Sequence, residues 1–277
     1  MRKIDIHSHV TTTSAIEDFQ RLRHEIDKYD IDKSVVLASY FPHKGSGVGN
    51  YRLKDLLELE NIVCGEERFL MFGSLDFENY FSQGFHELDS LTLRGKLSGI
   101  KIYTGYQEVD FASSGFHSLM AIASAFRLPV MFHTGYSFMA RRSTGDPSFA
   151  TMVGAKELEG VVDKYSDANF ILSHLSKPFF EDMRELAKRY ENVYTDMSGL
   201  IDSQHEFAEL GNCALETKRF LDEVGPHKLL FGTDFPVQSH RDSVFIAEKA
   251  LEGFNEDDQK LVYYDNAWRL LKLDETK

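Results

Sequence analysis

The chain has 277 residues, of which 42% are hydrophobic and 27% are charged, and its formal net charge is −13. This composition is typical of a globular protein with a large core and excludes an intrinsically disordered chain. The negative charge disfavours nucleic acid and anionic membranes as partners, and no apolar run has the length of a signal peptide or membrane span. The two cysteines lie far apart and form no disulfide or zinc pattern, so a cytoplasmic location is expected.

Short runs rich in β-branched and aromatic residues predict eight strands. In chain order they cover residues 3–10, 33–39, 69–77, 99–104, 129–134, 169–173, 192–196 and 228–233. Stretches with helical spacing lie between them, at 16–27, 53–62, 116–126, 158–165, 183–190 and 217–223. The apolar residues of 257–271 predict an extra helix at the carboxyl end.

The alternation of strands and helices predicts the fold class. Regular alternation favours a parallel sheet, and eight repeats favour a closed (β/α)8 TIM barrel, formed by a single domain over residues 1–277. A doubly wound open sheet is the alternative, but the turn after the first strand lacks a glycine-rich phosphate cradle. Two long connections, 40–51 and 136–152, follow strands and are expected on the face of the barrel that carries active sites.

The first strand carries two histidines at a spacing that suits a metal. His7 and His9 are two residues apart, so both are expected to face the barrel interior, while Ile4 and Ile6 are expected to face the outer helices. An isolated pair of this kind is weak evidence for a metal, because a hydrogen-bonded strand histidine has the same pattern.

The same kind of residue recurs at the ends of other predicted strands. His133, His174 and Asp234 each follow an apolar run. A buried imidazole or carboxylate is costly unless something satisfies it, and parallel strands bring their carboxyl ends to one face. Together with His7 and His9, these residues predict a metal site at the barrel mouth.

Six motifs extend the pattern over nearly the whole chain. They are DIHSH (5–9), GIK (99–101), FHTG (132–135), SHL (173–175), GTDFP (232–236) and DNAWRL (265–270). With these motifs the sequence resembles the amidohydrolase superfamily, and more narrowly the amidohydrolase 2 branch that includes aminocarboxymuconate semialdehyde decarboxylase.

The resemblance implies roles for the residues at the strand ends. His7, His9 and His133 would coordinate a divalent metal, Asp234 would be the carboxylate ligand or the base that holds water, and His174 would be an acid/base. Zinc is the first expectation, with manganese or cobalt as alternatives, and one ion is favoured over two. The expected reaction is hydrolysis of a C–N or C–O bond (amide, lactone or ester) of a small molecule by metal-activated water. A substrate that carries a carboxylate group is also considered.

Three further residues are predicted to bind the substrate. Lys101 would contact a substrate carboxylate, although it could instead be carboxylated and bridge two metals, or form an interior ion pair with Asp5 or Asp196. Tyr103 and Arg142 lie near predicted site strands. The alternative role of Tyr103 is packing, and the alternative for Arg142 is a solvated charge in a loop.

Other functions stay open at this point. A metal-dependent decarboxylase or hydratase would use the same ligands, and a non-catalytic metal-binding barrel is a third hypothesis. The expected partner is a small-molecule substrate, and a homodimer through the terminal segment near Trp268 is a further hypothesis.

Overall fold

The computed structural model describes residues 1–10, 15–38, 60, 63, 66–77, 81–136, 152–201 and 207–274. Eight strands form one parallel sheet, in which each strand pairs with the next in the sequence. The strands are β1 (Lys3–Ser8), β2 (Ile31–Leu37), β3 (Phe69–Ser74), β4 (Gly99–Ile102), β5 (Val130–Phe132), β6 (Phe170–Leu172), β7 (Val193–Asp196) and β8 (Leu229–Leu230). Each overlaps a strand predicted from the sequence, and the predicted (β/α)8 barrel is confirmed.

Helices follow the strands along the chain. They are α1 (Ala15–Lys28), α2 (Phe81–Leu93), α3 (Ser114–Ala125), α4 (Glu159–Lys164), α5 (Phe180–Arg189), α6 (Phe207–Glu223) and α7 (His240–Ala250). Serine side chains begin two of them, because Ser113 accepts a hydrogen bond from Phe116 N and Ser239 accepts one from Asp242 N. The helix predicted at 53–62 lies outside the described residues except for residue 60. No helix in the described parts of the chain is both long and apolar enough to span a membrane.

The strands are buried on both faces. Val130 and Phe132 belong to the apolar cluster that the strands share with the helices, whereas Met131, between them, belongs to a second cluster. This alternation places Met131 inside the barrel. Burial of an apolar side chain such as Met131 or Phe132 contributes about 1.5–3 kcal/mol to the stability of the fold. Packing in the two clusters therefore holds the strand ends in fixed positions.

The first strand departs from regular alternation. Its pairing with β2 shifts register between Asp5 and Ser8. Ile4 and Ile6 belong to the same inner cluster as Met131, so the prediction that they face the outer helices is wrong. The irregularity re-aims the end of the strand, and His7, although it follows Ile6 directly, also lies inside the barrel among site residues.

The predicted terminal helix is present at the amino-terminal end of the barrel. It consists of α8 (Glu256–Lys260), a π-helical turn (Leu261–Asp265) and α9 (Asn266–Leu270). Tyr264 donates a hydrogen bond to Asp32 Oδ2 at 2.9 Å, and Asn266 Nδ2 donates to Leu229 O at 2.9 Å. Asp32 and Leu229 lie at the beginnings of β2 and β8, so the segment covers the end of the barrel opposite to the predicted site.

Hydrogen bonds join the chain after β8 to β1. Asp234 N donates to His7 O at 2.7 Å. The buried carboxylate of Asp5 accepts hydrogen bonds from His7 N at 3.1 Å and Thr233 N at 3.0 Å, and from the Thr233 hydroxyl at 2.7 Å. These contacts fix the main chain of His7 relative to that of Asp234.

Candidate metal and active site

The barrel brings polar side chains from six strand ends together. All are buried, with exposed fractions of 7% or less: His7, His9, Lys101, His133, His174, Asp196 and Asp234. His7, Lys101 and Asp196 lie on β1, β4 and β7, and the others follow a strand by one to four residues. Such a concentration of buried polar groups requires either mutual hydrogen bonds or a ligand.

The first group consists of His7, His9 and Asp234. His9 Nε2 lies 3.0 Å from Asp234 Oδ1, and His7 Nε2 lies 3.4 Å from the same oxygen. The candidate ligand atoms of the three residues lie within 4.8 Å of one another, which is close enough for one metal ion. Three of the four predicted ligands are therefore adjacent.

Asp196 fixes the orientation of His7. Its Oδ2 lies 2.9 Å from His7 Nδ1, and because a carboxylate can only accept, Nδ1 must carry the proton. His7 Nε2 then has a lone pair that faces Asp234 Oδ1, another lone-pair donor, at 3.4 Å. A cation between these two atoms would turn an unfavourable contact into a favourable one.

His133 and His174 form a pair beside this group. His174 Nδ1 lies 2.9 Å from the carbonyl oxygen of Ser198 and must donate to it, which leaves Nε2 as an acceptor. His133 Nδ1 lies 3.1 Å from His174 Nε2 and is therefore the donor of that bond. His133 Nε2 consequently has a free lone pair, and it is buried without a hydrogen-bond partner among the described residues.

The fourth predicted ligand thus does not join the first group. His133 belongs to neither of the two candidate metal groups in the described residues; the second group contains His7, His174 and Asp196. Its ring lies instead against the rings of His174 and Tyr106, with centroid distances of 4.8 and 4.7 Å. The orphaned Nε2 keeps His133 available as a ligand, so its predicted role stays a prediction.

Burial and nearby charges set the protonation states. Burial and the Lys101 ammonium lower the pKa of His7 to about 3. The pKa values of His133 and His174 are also lowered, mainly by burial. Burial raises the pKa of the Asp234 carboxyl, but its hydrogen bond to His9 and the neighbouring histidines outweigh this and hold it at about 2. At neutral pH His7, His133 and His174 are therefore neutral and Asp234 is ionised, which are the ligand forms that a divalent metal requires.

Lys101 is fully buried and donates a hydrogen bond to Ser173 Oγ at 2.9 Å. The interior ion pair considered for it is not formed, since no carboxylate oxygen of the described residues lies within 4.0 Å of Nζ. Burial lowers the pKa of Lys101 to about 8, while the charges of Asp196 and Asp234 oppose that effect. Lys101 therefore supplies a desolvated positive charge close to the two carboxylates.

The other two predicted substrate-binding residues are placed differently. The Tyr103 hydroxyl donates to Ala38 O at 2.7 Å, and only 2% of the residue is exposed. Its ring centroid lies 5.5 Å from Lys101 Nζ, which makes the ring a neighbour of the site. Arg142 lies outside the described residues, so its role stays a prediction.

The turn after β7 contributes two residues that sequence reasoning missed. The Ser198 hydroxyl contacts His7, His174 and Asp196. Gly199 has φ +57°, and a Cβ there would lie 2.5 Å from Asp234 Oδ2 and 2.6 Å from His174 Nδ1. Only glycine fits such a close approach in this backbone conformation. The available signal was their position, directly after a polar strand end.

Left-handed backbone conformations also concentrate at the site. His174, Leu175 and Ser176 have φ values of 64°, 49° and 56°, and Asp234 has φ 60°. Residues other than glycine adopt this region at a cost, and such residues are frequent at functional sites. The conformation reverses the chain directly after β6 and places His174 over the barrel mouth.

A family model supplies the identification. Residues 67–273 match the model of the amidohydrolase family. The chain belongs to the amidohydrolase family. No curated protein matches this amidohydrolase.

Solved structures share the fold of this amidohydrolase at low sequence identity. An amidohydrolase from Burkholderia multivorans with bound zinc has a TM-score of 0.71 at 16% identity, over 98% of this chain and 99% of its own. A protein described as a probable 2-pyrone-4,6-dicarboxylic acid hydrolase, from Acinetobacter baumannii, has a TM-score of 0.67 at 13% identity, over 98% of this chain and 100% of its own. A dihydroxybenzoic acid decarboxylase from Polaromonas with bound manganese has a TM-score of 0.66 at 16% identity, over 99% of this chain and 98% of its own.

Proposed function

We propose that this amidohydrolase is a metal-dependent hydrolase that cleaves a C–N or C–O bond (amide, lactone or ester) of a small molecule, one that carries a carboxylate in the favoured case. The observation that carries the proposal is the contact between His7 Nε2 and Asp234 Oδ1. Two lone-pair donors face each other in a buried site at 3.4 Å, and His9 Nε2 lies 3.0 Å from the same oxygen. A divalent cation is the ligand that satisfies all three.

The residues that would hold the ion are His7, His9 and Asp234, with His133 as the fourth. We favour one ion, zinc before manganese or cobalt. The zinc and manganese in structures of similar fold support a divalent metal at this site. When bound, the ion would lower the pKa of a coordinated water toward neutrality and polarise a substrate carbonyl. A neutral His7 and an ionised Asp234 are ready to bind it at neutral pH.

The protein side chains would then move protons and position the substrate. Asp234 is ionised and can take the proton of an attacking water. His174 keeps its Nδ1 proton on the Ser198 carbonyl, so it would accept and return a proton at Nε2, in exchange for the hydrogen bond that Nε2 accepts from His133 Nδ1. The Lys101 ammonium is desolvated by burial, and it is suited to attract a substrate carboxylate.

A lyase is the second candidate, and Lys101 is the observation that favours it. Non-oxidative decarboxylation needs a substrate carboxylate near the metal and a proton donor for the carbon that loses CO2. Lys101 could hold that carboxylate, His174 could supply the proton, and a decarboxylase occurs among the proteins of similar fold. The third hypothesis is a metal-binding barrel without catalysis.

Turnover tests separate these functions. Metal-reconstituted protein would be assayed with panels of lactones, esters and amides, and with aromatic carboxylic acids whose decarboxylation releases CO2. Hydrolysis that disappears in Asp234→Asn supports the proposal, whereas CO2 release alone supports the lyase. Turnover that Asp234→Asn retains points to a contaminant, and silence on every panel with zinc, manganese or cobalt contradicts both enzymatic hypotheses. A cytoplasmic location and a homodimer stay predictions.

A further inference from the structure

Ser198 lies at the centre of the hydrogen bonds that join the two histidine groups. Its side chain is fully buried, and it follows β7 in the turn that also contains Gly199. Ser198 Oγ lies 2.9 Å from His7 Nδ1, 3.1 Å from His174 Nδ1 and 2.5 Å from Asp196 Oδ1. One hydroxyl therefore touches a proposed metal ligand, the proposed acid/base and the carboxylate between them.

The direction of each bond follows from the chemistry of the partners. Asp196 Oδ1 already accepts hydrogen bonds from the main-chain N–H groups of His174 and Ser198, so it acts as an acceptor. A carboxylate only accepts, so the single hydroxyl proton of Ser198 goes to Asp196. The two lone pairs of the hydroxyl are then left for the Nδ1–H groups of His7 and His174. The hydrogen-bonding capacity of the hydroxyl is fully used.

This arrangement has a consequence for both rings. His7 Nδ1–H has Asp196 Oδ2 and the Ser198 hydroxyl as acceptors, and His174 Nδ1–H has the Ser198 carbonyl and the same hydroxyl. Both imidazoles are thereby kept in the tautomer that leaves Nε2 without a proton. The Asp196 rotamer is fixed at the same time, since Oδ1 also accepts from Ser198 N at 3.1 Å and His174 N at 3.0 Å.

We propose that Ser198 is a positioning residue. Its hydroxyl donates to Asp196 and accepts from both Nδ1–H groups, and it thereby holds the tautomers that Asp196 and the Ser198 carbonyl select, with one Nε2 free to bind the metal and the other to transfer protons. The metal-binding half of this inference rests on the proposed function. Ser198 does not touch the reacting atoms, and it acts through the two rings and Asp196. Partners that hold a ligating histidine in this way typically contribute a factor of about 10–100 to metal affinity.

The test uses full-length Ser198→Ala with two readouts. The first is zinc affinity, measured by competition with a chromophoric chelator, and we expect a loss of about tenfold or more. The second is the ring nitrogen NMR spectrum of metal-free protein at neutral pH. We expect Nδ1–H tautomers at both rings in the wild type. In the variant we expect a detectable Nε2–H fraction at His7, because Asp196 loses the hydrogen bond from the hydroxyl, whereas His174 keeps the main-chain carbonyl as its acceptor. Thr217→Val, which removes another fully buried hydroxyl in α6, is the matched control and should change neither.

Two results would overturn the inference. One is a folded Ser198→Ala protein with zinc affinity within about twofold of the wild type, which is well below the expected factor. The other is an Nε2–H tautomer of either ring in metal-free wild type, a measurement that does not depend on the folding of any variant. If the wild type takes up neither zinc nor manganese, the proposed function fails, and the metal-free spectrum still decides the positioning role.

Discussion

Gly199→Ala should disrupt the site although it replaces no proposed ligand. The new Cβ would lie 2.5 Å from Asp234 Oδ2 and 2.6 Å from His174 Nδ1, whereas ordinary contact begins near 3.4 Å. Both side chains would have to move by about 0.8–0.9 Å in a close-packed interior. In addition, φ +57° costs a residue with a Cβ about 1–2 kcal/mol. We therefore expect a melting temperature lower by roughly 2–8 °C and metal affinity lower by about 10–100-fold.

The assays are differential scanning calorimetry of metal-free protein and chelator competition with zinc. Gly211→Ala in α6 is the matched control, because a Cβ there meets no atom within 4 Å. Replacing this helical glycine should raise the free energy of unfolding by about 0.5–1 kcal/mol and leave zinc affinity unchanged. If Gly199→Ala binds zinc like the wild type and melts at the same temperature, the close approach of the turn to Asp234 and His174 is refuted.

Two further predictions concern stability and pH in the metal-free protein. Burial lowers the pKa values of His7, His133 and His174 in the folded protein below the ordinary histidine pKa of about 6.5. The unfolded chain therefore binds more protons, and stability falls as the pH drops from about 6.5 toward 3. Urea unfolding at several pH values should show that the free energy of unfolding falls by up to about 1.4 kcal/mol per pH unit for each histidine. His174→Gln should make this dependence less steep, and an unchanged pH dependence contradicts the prediction. Lys101→Met should stabilise the chain by up to about 3 kcal/mol at pH 7, since burial lowers the pKa of the Lys101 amine from 10.5 to about 8. The gain should shrink as the pH rises from 8 to 10.5, because the wild type becomes more stable when the buried amine loses its proton. Thermal melts over this pH range measure it, and a variant that melts below the wild type at pH 7 would contradict it.

Much of the fold could be predicted because it depends on local pattern. Apolar runs of strand length and helical spacing between them were sufficient for the eight strands and the terminal helix. The convergence of His7, His9 and Asp234 could be predicted as well, since parallel strands present their carboxyl ends on one face. None of these inferences needs the detailed register of neighbouring strands.

The features that were missed depend on register and on contacts between distant residues. The register of β1 and β2 shifts between Asp5 and Ser8, and Ile6 and His7 both lie inside the barrel although they are consecutive. Strict alternation cannot anticipate this. The pairing of His133 with His174 depends on the left-handed conformation of His174 after β6. Ser198 acquires its partners only when three strand ends meet, 191 residues from His7 in sequence.

The properties of the site can also be divided into those that the sequence predicts and those that depend on the folded structure. The sequence carries the residue types that suit a metal, but protonation and tautomer are set by the folded surroundings. Asp196 is the clearest case, because a helix cap was the simpler interpretation of its position at the end of a predicted strand. In the structure its carboxylate accepts hydrogen bonds from His7 Nδ1 and His174 N instead.

The central claim is that His7, His9 and Asp234 hold one divalent ion. Metal content per chain tests it most directly, on protein purified without chelator and then reconstituted with zinc, for the wild type and for His7→Ala, Asp234→Asn and Lys101→Ala. The account predicts about one equivalent that is lost in the first two variants and retained in Lys101→Ala. Two equivalents that fall together with Lys101 would contradict the single-ion site, and a wild type that binds no metal would contradict the central claim itself.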